Sequence, residues 1–213
     1  GVTKFDRLLF DLGFSSDQLA VSGRGFSFLT DEPLLMTYEL GIEPGCLTAR
    51  EIVNRWPEER LTAICKDYSN EPFARRIAEA IVRARQTAPI ETTGELVEII
   101  GRAVPRWYRA ASRRRHFATK VFQALRIAVN DEFGALVQGL TKGFTLLRPS
   151  GRLAVITFHS GEAKIVKIFF RGQTARGAGL IITRRAIRPT LMEIKTNPRA
   201  RSATLRIIQK NDD

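Results

Sequence analysis

The chain has two cysteines and two histidines in 213 residues, little material for a metal centre or a disulfide framework. Cys46 and Cys65 stand nineteen positions apart, with no Cys-x-x-Cys and no adjacent histidine, which argues against both. Two reduced thiols are expected, and with them a cytoplasmic setting. No apolar run approaches the roughly 20 residues that span a bilayer. The first residues show no secretory leader pattern, and no segment combines a strong apolar face with a basic one, so a membrane partner is not expected. At 44% hydrophobic and 26% charged, the chain reads as a folded globular protein rather than a disordered one. Its length suits one domain, or one domain carrying a smaller insert.

Acidic residues are scarce in one part of the chain only. Residues 1–98 hold 11 basic and 16 acidic side chains, whereas residues 99–213 hold 23 basic and 6 acidic. Residues 99–130 contain no carboxylate but carry Arg102, Arg106, Arg109, Arg113, Arg114, Arg115, Lys120 and Arg126. A second acid-free window, residues 163–192, carries seven more basic side chains. A solvated basic face is the simple reading. Aromatics interleaved in the first window (Trp107, Tyr108, Phe117, Phe122) favour a nucleic-acid partner.

The pattern along the chain is mixed α/β. Phe5 to Asp11 is a short apolar run ending in an acid and Gly13, as a buried parallel strand delivers a polar side chain to its carboxyl edge. A breaker-rich stretch follows, to Gly45. Helices then succeed one another: Thr48-x-x-Glu51 and Thr92-x-x-Glu95 are capping boxes, and Pro57 suits a first helical turn. Residues 46–112 read as a helical insert with its own core. Phe122, Leu125, Val129, Phe133, Leu136, Leu140, Phe144 and Leu147 then form the stripe of one long buried helix, or two. Pro149-Ser150-Gly151 is expected to stop it, Arg152 to Phe158 to form a second core strand, residues 161–170 a short helix, and 180–183 and 203–208 two antiparallel closing strands. The order matches the second half of a doubly wound nucleotide-type fold. Gly177-Ala178-Gly179 is no cofactor loop, because a strand rather than a helix follows it.

Four strings point beyond fold class: Asp11-Leu12-Gly13-Phe14-Ser15-Ser16-Asp17-Gln18-Leu19; His116-Phe117-Ala118-Thr119-Lys120-Val121-Phe122-Gln123-Ala124-Leu125-Arg126-Ile127; Gly151-Arg152-Leu153-Ala154-Val155-Ile156-Thr157-Phe158-His159-Ser160; and Asn197-Pro198-Arg199-Ala200-Arg201-Ser202-Ala203. Together, in this order, they resemble the RsmH/MraW family of S-adenosylmethionine-dependent methyltransferases, which act on a cytosine N4 in small-subunit ribosomal RNA. The resemblance runs from about Phe5 to Gln209. It implies a partial Rossmann-like class I methyltransferase sheet, its first strands missing, with an inserted helical subdomain that helps hold RNA. The methyltransferase domain would comprise residues 1–45 and 113–213, and the insert residues 46–112. It also implies small-subunit ribosomal RNA as partner and methyl transfer without a metal, and it leaves a homodimer open. The family's glycine-rich cofactor loop and ribose-gripping acid precede the Asp-Leu-Gly strand and lie outside this chain, so weak cofactor binding is expected. An RNA-binding relative without catalysis, or an amino-methyltransferase of another nucleic acid, are the alternative functions.

Carried over by position, Asp11 and Gln18 match cofactor-contacting residues, and Asp11, Ser15 and Ser16 occupy the place of the amine-binding catalytic loop. Phe26 and Phe28 are candidates to stack on a flipped base, with core packing as the simpler role. Arg113, Arg114, Arg115, Lys120, Gln123, Arg126 and Asn130 are candidate RNA contacts, and His159 and Ser160 candidate substrate-pocket residues. Against these stand ordinary roles: Asp11 capping a turn, His159 hydrogen-bonded within the fold, Arg126 paired with an acid. The chain departs from the family pattern at 31–38, at Phe117 and at 161–164, all on the presumed substrate side.

Overall fold

The computed structural model describes residues 4–13, 22–39, 45–110 and 116–212. Ser15, Ser16, Gln18, Arg113, Arg114 and Arg115 lie outside the described residues. Internal contacts divide the chain into two compact units, each described by itself: a sheet unit (Gly1–Phe14 with Glu132–Asp213) and a helical unit (Ser15–Asp131). In chain order, β1 (Phe5–Asp11) belongs to the sheet unit. Helices α1 (Ala49–Arg55), α2 (Glu58–Ser69), α3 (Ala74–Arg85), α4 (Thr93–Ala103), α5 (Arg106–Ala110) and α6 (Thr119–Asn130) belong to the helical unit. The sheet unit resumes with α7 (Glu132–Leu146), β2 (Leu147–Thr157), α8 (Ser160–Ala175), β3 (Gly179–Ile181), α9 (Leu191–Thr196), a 3-10 turn (Pro198–Ser202) and β4 (Thr204–Lys210).

In the helical unit, Ile52, Leu61, Ile77, Ile81, Leu96 and Ile100 are buried in one core, each from the apolar face its helix spacing predicts. Thr92 and Glu95 form the complete capping box of α4, while Thr48 accepts from the Glu51 amide at α1. Pro57 stands one position ahead of expectation, as the N-cap of α2. Removing the α4 cap with Thr92→Ala is expected to cost about 1 kcal/mol, read from the midpoint of chemical denaturation. Leu34 and Met36, from the stretch before α1, belong to the same core. Gly25 lies against this stretch: its φ is +75°, and a Cβ would collide with the Pro33 carbonyl oxygen.

Neither cysteine is in a disulfide among the described residues, and the Cys46 thiol donates to the Glu39 carboxylate. Burial, with Glu71 nearby, pushes the Cys65 thiol from its ordinary 9.0 up to about 12. Its proton therefore stays on in the folded state after the unfolded chain has lost its own. The associated stability is present below pH 9 and declines as pH rises towards 12. At pH 8, a thiol reagent should label Cys46 quickly and Cys65 only as fast as the helical unit opens.

The apolar stripe from Phe122 onward resolves into two helices separated by Asp131, whose φ is +45°. Val121, Phe122, Ala124 and Leu125 of α6 are buried with α1 and α2 in the helical core. Leu136, Leu140 and Phe144 of α7 are buried in the core of the sheet unit. The contact boundary thus falls at Asp131/Glu132, whereas the sequence reading places the end of the insert at 112. Periodicity shows that a face is buried but not which core buries it.

The sheet has strand order β1-β2-β4-β3, with β1 parallel to β2 and β4 antiparallel to both β2 and β3. The two closing strands pair as expected. Leu153, Val155 and Thr157 alternate inward along β2, where Leu153 and Val155 share a core with α7 and with Val166 and Phe170 of α8. Two expectations need correction. Among the described strands β1 is an edge, and Leu9 is 63% exposed rather than buried. Its inward residue Phe10 lies over Gly139 and Gly143 of α7, so only one side of the run reaches the core. Also, β2 starts at Leu147 and runs through Pro149-Ser150-Gly151, because a register shift between Phe5 and Arg7 accommodates those residues as a bulge beside β1. The helix after β2 is longer than expected, spanning Ser160–Ala175.

Candidate active site

In the sheet unit the carboxyl ends of the two parallel strands bring the candidate groups together. Asp11 pairs in register with Ile156, and the Leu12 amide donates to the Ile156 carbonyl at 3.2 Å. The Asp11 carboxylate is exposed, and its Oδ1 accepts from the Gly13 amide at 3.3 Å, closing the turn that leaves the strand. No other described residue binds this carboxylate, so one oxygen remains available to a ligand. Gly13 passes so close to β2 that a Cβ there would meet Phe158 Cε2 at 2.8 Å. The turn is therefore held against the end of β2, immediately before His159.

His159 and Ser160 begin α8. The His159 Nδ1 accepts from the Glu162 amide at 3.4 Å. The Glu162 carboxylate answers by accepting from the Phe158 and His159 amides at 2.8 and 3.3 Å. This is a capping box with histidine where serine or threonine usually stands. Since Nδ1 accepts, Nε2 carries the proton of the neutral ring. That buried atom lies 3.1 Å from Glu162 Oε1, yet finds no aligned acceptor. His159 is thus a structural cap first, and it lines a cavity of about 440 Å³ with Phe158, Ser160, Lys164 and Thr204. Glu162 was not legible as a site residue, although His-x-x-Glu at a strand–helix junction has the spacing of a capping box.

The remaining described candidates lie in the helical unit, where Phe26, Phe28, Lys120 and Asn130 are engaged by neighbouring groups. Phe26 stacks on Tyr38 with ring centroids 5.4 Å apart. Phe28 stacks on His116 at 4.6 Å and meets Phe122 edge-on at 5.1 Å, so its faces are engaged by neighbouring rings. Burial lowers the His116 pKa from its usual value. Lys120 donates to the Asn70 carbonyl at 2.7 Å, which caps the end of α2. Asn130 donates to the Met36 carbonyl and accepts from the Tyr38 amide at 2.7 and 2.9 Å, tying the 36–38 segment to α6. Gln123 and Arg126 are half-buried on the same helix. Asp31 and Glu32, in the divergent 31–38 stretch, are also engaged locally. The Gly94 amide donates to Asp31 at 2.8 Å, holding its carboxyl below the usual 3.8, and Glu32 accepts from the Gly25 amide at 2.8 Å.

The residues at the β1 and β2 edge suit a cationic ligand. Asp11 offers a solvent-facing carboxylate with spare acceptor capacity, and Gly13 keeps the turn low where a side chain would fill the space. A sulfonium cofactor with an ammonium terminus fits such a site.

Comparison with known proteins agrees with the geometry. The family described as the MraW methylase family matches residues 1–211. A protein named ribosomal RNA small subunit methyltransferase H from Paenibacillus sp. (strain JDR-2) is 45% identical, the match covering 99% of this chain and 70% of that protein. Its namesake from Geobacter sulfurreducens is 47% identical over 99% of this chain and 71% of its own length. The one from Fervidobacterium nodosum is 48% identical, over 98% and 67%. A family match spanning nearly every residue, on a sheet whose parallel strands present Asp11 and His159 at one edge, places this chain in the MraW methylase family.

Proposed function

We propose that this chain transfers a methyl group from S-adenosylmethionine to the N4 amine of a cytosine in small-subunit ribosomal RNA. The family match over residues 1–211, with relatives of 45–48% identity named for that substrate, carries the reading. The sheet unit is read as part of a Rossmann-like class I methyltransferase sheet, and the helical unit as the part that helps hold RNA.

S-adenosylmethionine supplies, when bound, an electrophilic methyl on a sulfonium. The chemical difficulty lies with the nucleophile, because the lone pair of a cytosine N4 amine is delocalised into the ring. The Asp11 carboxylate, exposed at the strand edge with one oxygen uncommitted, accepts a hydrogen bond from the amine. Backbone carbonyls that follow Asp11, those of Leu12 and Gly13, offer a second acceptor. Acceptors on both N–H bonds favour a pyramidal nitrogen and so free its lone pair. The same carboxylate favours the positive charge that develops on nitrogen before its proton leaves. Ser15, Ser16 and Gln18 follow Asp11 in the sequence, and by family position Ser15 and Ser16 are assigned to the amine-binding loop and Gln18 to the cofactor. His159 and Ser160 line the cavity beside it and contact the substrate there. A reduced-thiol, RNA-modifying protein belongs in the cytoplasm.

The test is transfer of labelled methyl from millimolar S-adenosylmethionine to small ribosomal subunits, compared with naked DNA. Label in the ribosomal RNA alone supports the reading. Label in DNA alone, or in neither, overturns it.

A further inference from the structure

The acid-free window of residues 163–192 has no role in the chemistry above, yet the fold gathers its charge. Beside the 440 Å³ cavity at His159 lies a second, of about 470 Å³, and the two share Lys167, Arg188 and Arg206 as walls. Lys164 completes the basic lining of the first, and Arg171, Arg184 and Arg185 that of the second, while no described acid lines either. Six of these seven are exposed, and none makes an ion pair or side-chain hydrogen bond with another described residue. Arg206 is the exception in burial. It stands opposite Val155 in the antiparallel register, on the face of the sheet that α8 covers, and its Nε is buried without any partner. A buried donor left unsatisfied costs free energy, and seven like charges around one depression repel each other. An arrangement that is unfavourable when empty and finds no counter-charge among the described residues is built for an anion.

We infer that this double cavity is a groove for the ribose-phosphate backbone of the substrate RNA, holding phosphates next to the nucleotide that enters at Asp11. The inference rests on the methylase reading above. Its shape favours a polymer: the two cavities adjoin along α8, and the first reaches the carboxyl end of β2 at Phe158 and His159. The hydroxyl of Ser202 in the first cavity adds a neutral donor of the kind that binds phosphate oxygens. Phosphate contacts of this sort position a substrate without reading its sequence.

The experiment compares the full chain with the triple variants R184A/R185A/R188A and R184K/R185K/R188K, titrated with a labelled single-stranded RNA at several salt concentrations. Each phosphate contact contributes about 0.7 to the slope of log affinity against log salt. The alanine triple should lower that slope by about 2 and weaken binding by about tenfold or more at low salt, while the lysine triple keeps most of both. The melting temperature of the alanine triple should hold or rise, because repulsion is relieved. An unchanged slope and affinity in the alanine triple overturns the inference. So does loss of binding to vesicles of anionic lipid in the alanine triple when the parent chain shows no affinity for RNA. Groove-dependent RNA binding without methyl transfer leaves the groove standing and removes the methylase reading. Methyl transfer by an alanine triple with unaltered RNA affinity does the reverse.

Discussion

Replacing Asp11 with asparagine is expected to lower the methyl-transfer rate about 100-fold or more, the usual cost of removing one preorganised group aimed at developing charge. Asparagine keeps the oxygen that accepts from the Gly13 amide, so the turn at the end of β1 survives. It loses the negative charge and offers a weaker acceptor to the amine. Because Asp11 is exposed, global stability should change by no more than about 0.5 kcal/mol. The affinity for RNA should also be retained, since the phosphate-binding cations are separate side chains. An enzyme that methylates at the parental rate with asparagine at this position would remove Asp11 from the chemistry.

The second large effect is on stability. Phe170 is 1% exposed and is among the largest fully buried side chains of the chain. It lies on α8 with Val166, in the core formed with Leu140, Phe144, Leu153 and Ile208. Phe170→Ala removes the ring and leaves a cavity that strands and helices cannot fully close, at about 3–5 kcal/mol. The loss should reach the site as well, because the helix that carries Phe170 begins at the His159 cap and walls both cavities. Urea unfolding monitored by far-UV circular dichroism measures it. A loss below about 1 kcal/mol would show that α8 is not anchored by this ring.

Much of this architecture was legible because local signals and tertiary packing agree. The Thr92-x-x-Glu95 box, the stripe of Ile77 and Ile81, and the pairing of the last two strands each follow from short-range chemistry. The failures have a common origin in long-range context. Phe5 to Asp11 has the hydrophobicity of a buried strand, but burial depends on neighbours that a seven-residue pattern does not specify, and Leu9 faces outward. Pro149-Ser150-Gly151 reads as a stop, yet a bulge absorbs it within a strand. Lys120 and Asn130 read as polar candidates for RNA, and nothing in the local pattern shows that each also bonds backbone groups of a distant segment. At the site, Asp11 stood out as an acid at a strand end. Glu162, Arg206 and the double cavity did not, because their meaning arises only when α8, β4 and the 184–188 segment converge.

Methylation of the exocyclic amine of a cytosine in small-subunit ribosomal RNA leaves a product that identifies it. The most direct measurement incubates the full chain with millimolar labelled S-adenosylmethionine and small subunits lacking the modification, digests the RNA to nucleosides and identifies the labelled one by mass spectrometry. N4-methylated cytidine, absent when Asp11 is replaced by asparagine, is the predicted product. A label confined to any other nucleoside, or equal labelling with the asparagine variant, would contradict it.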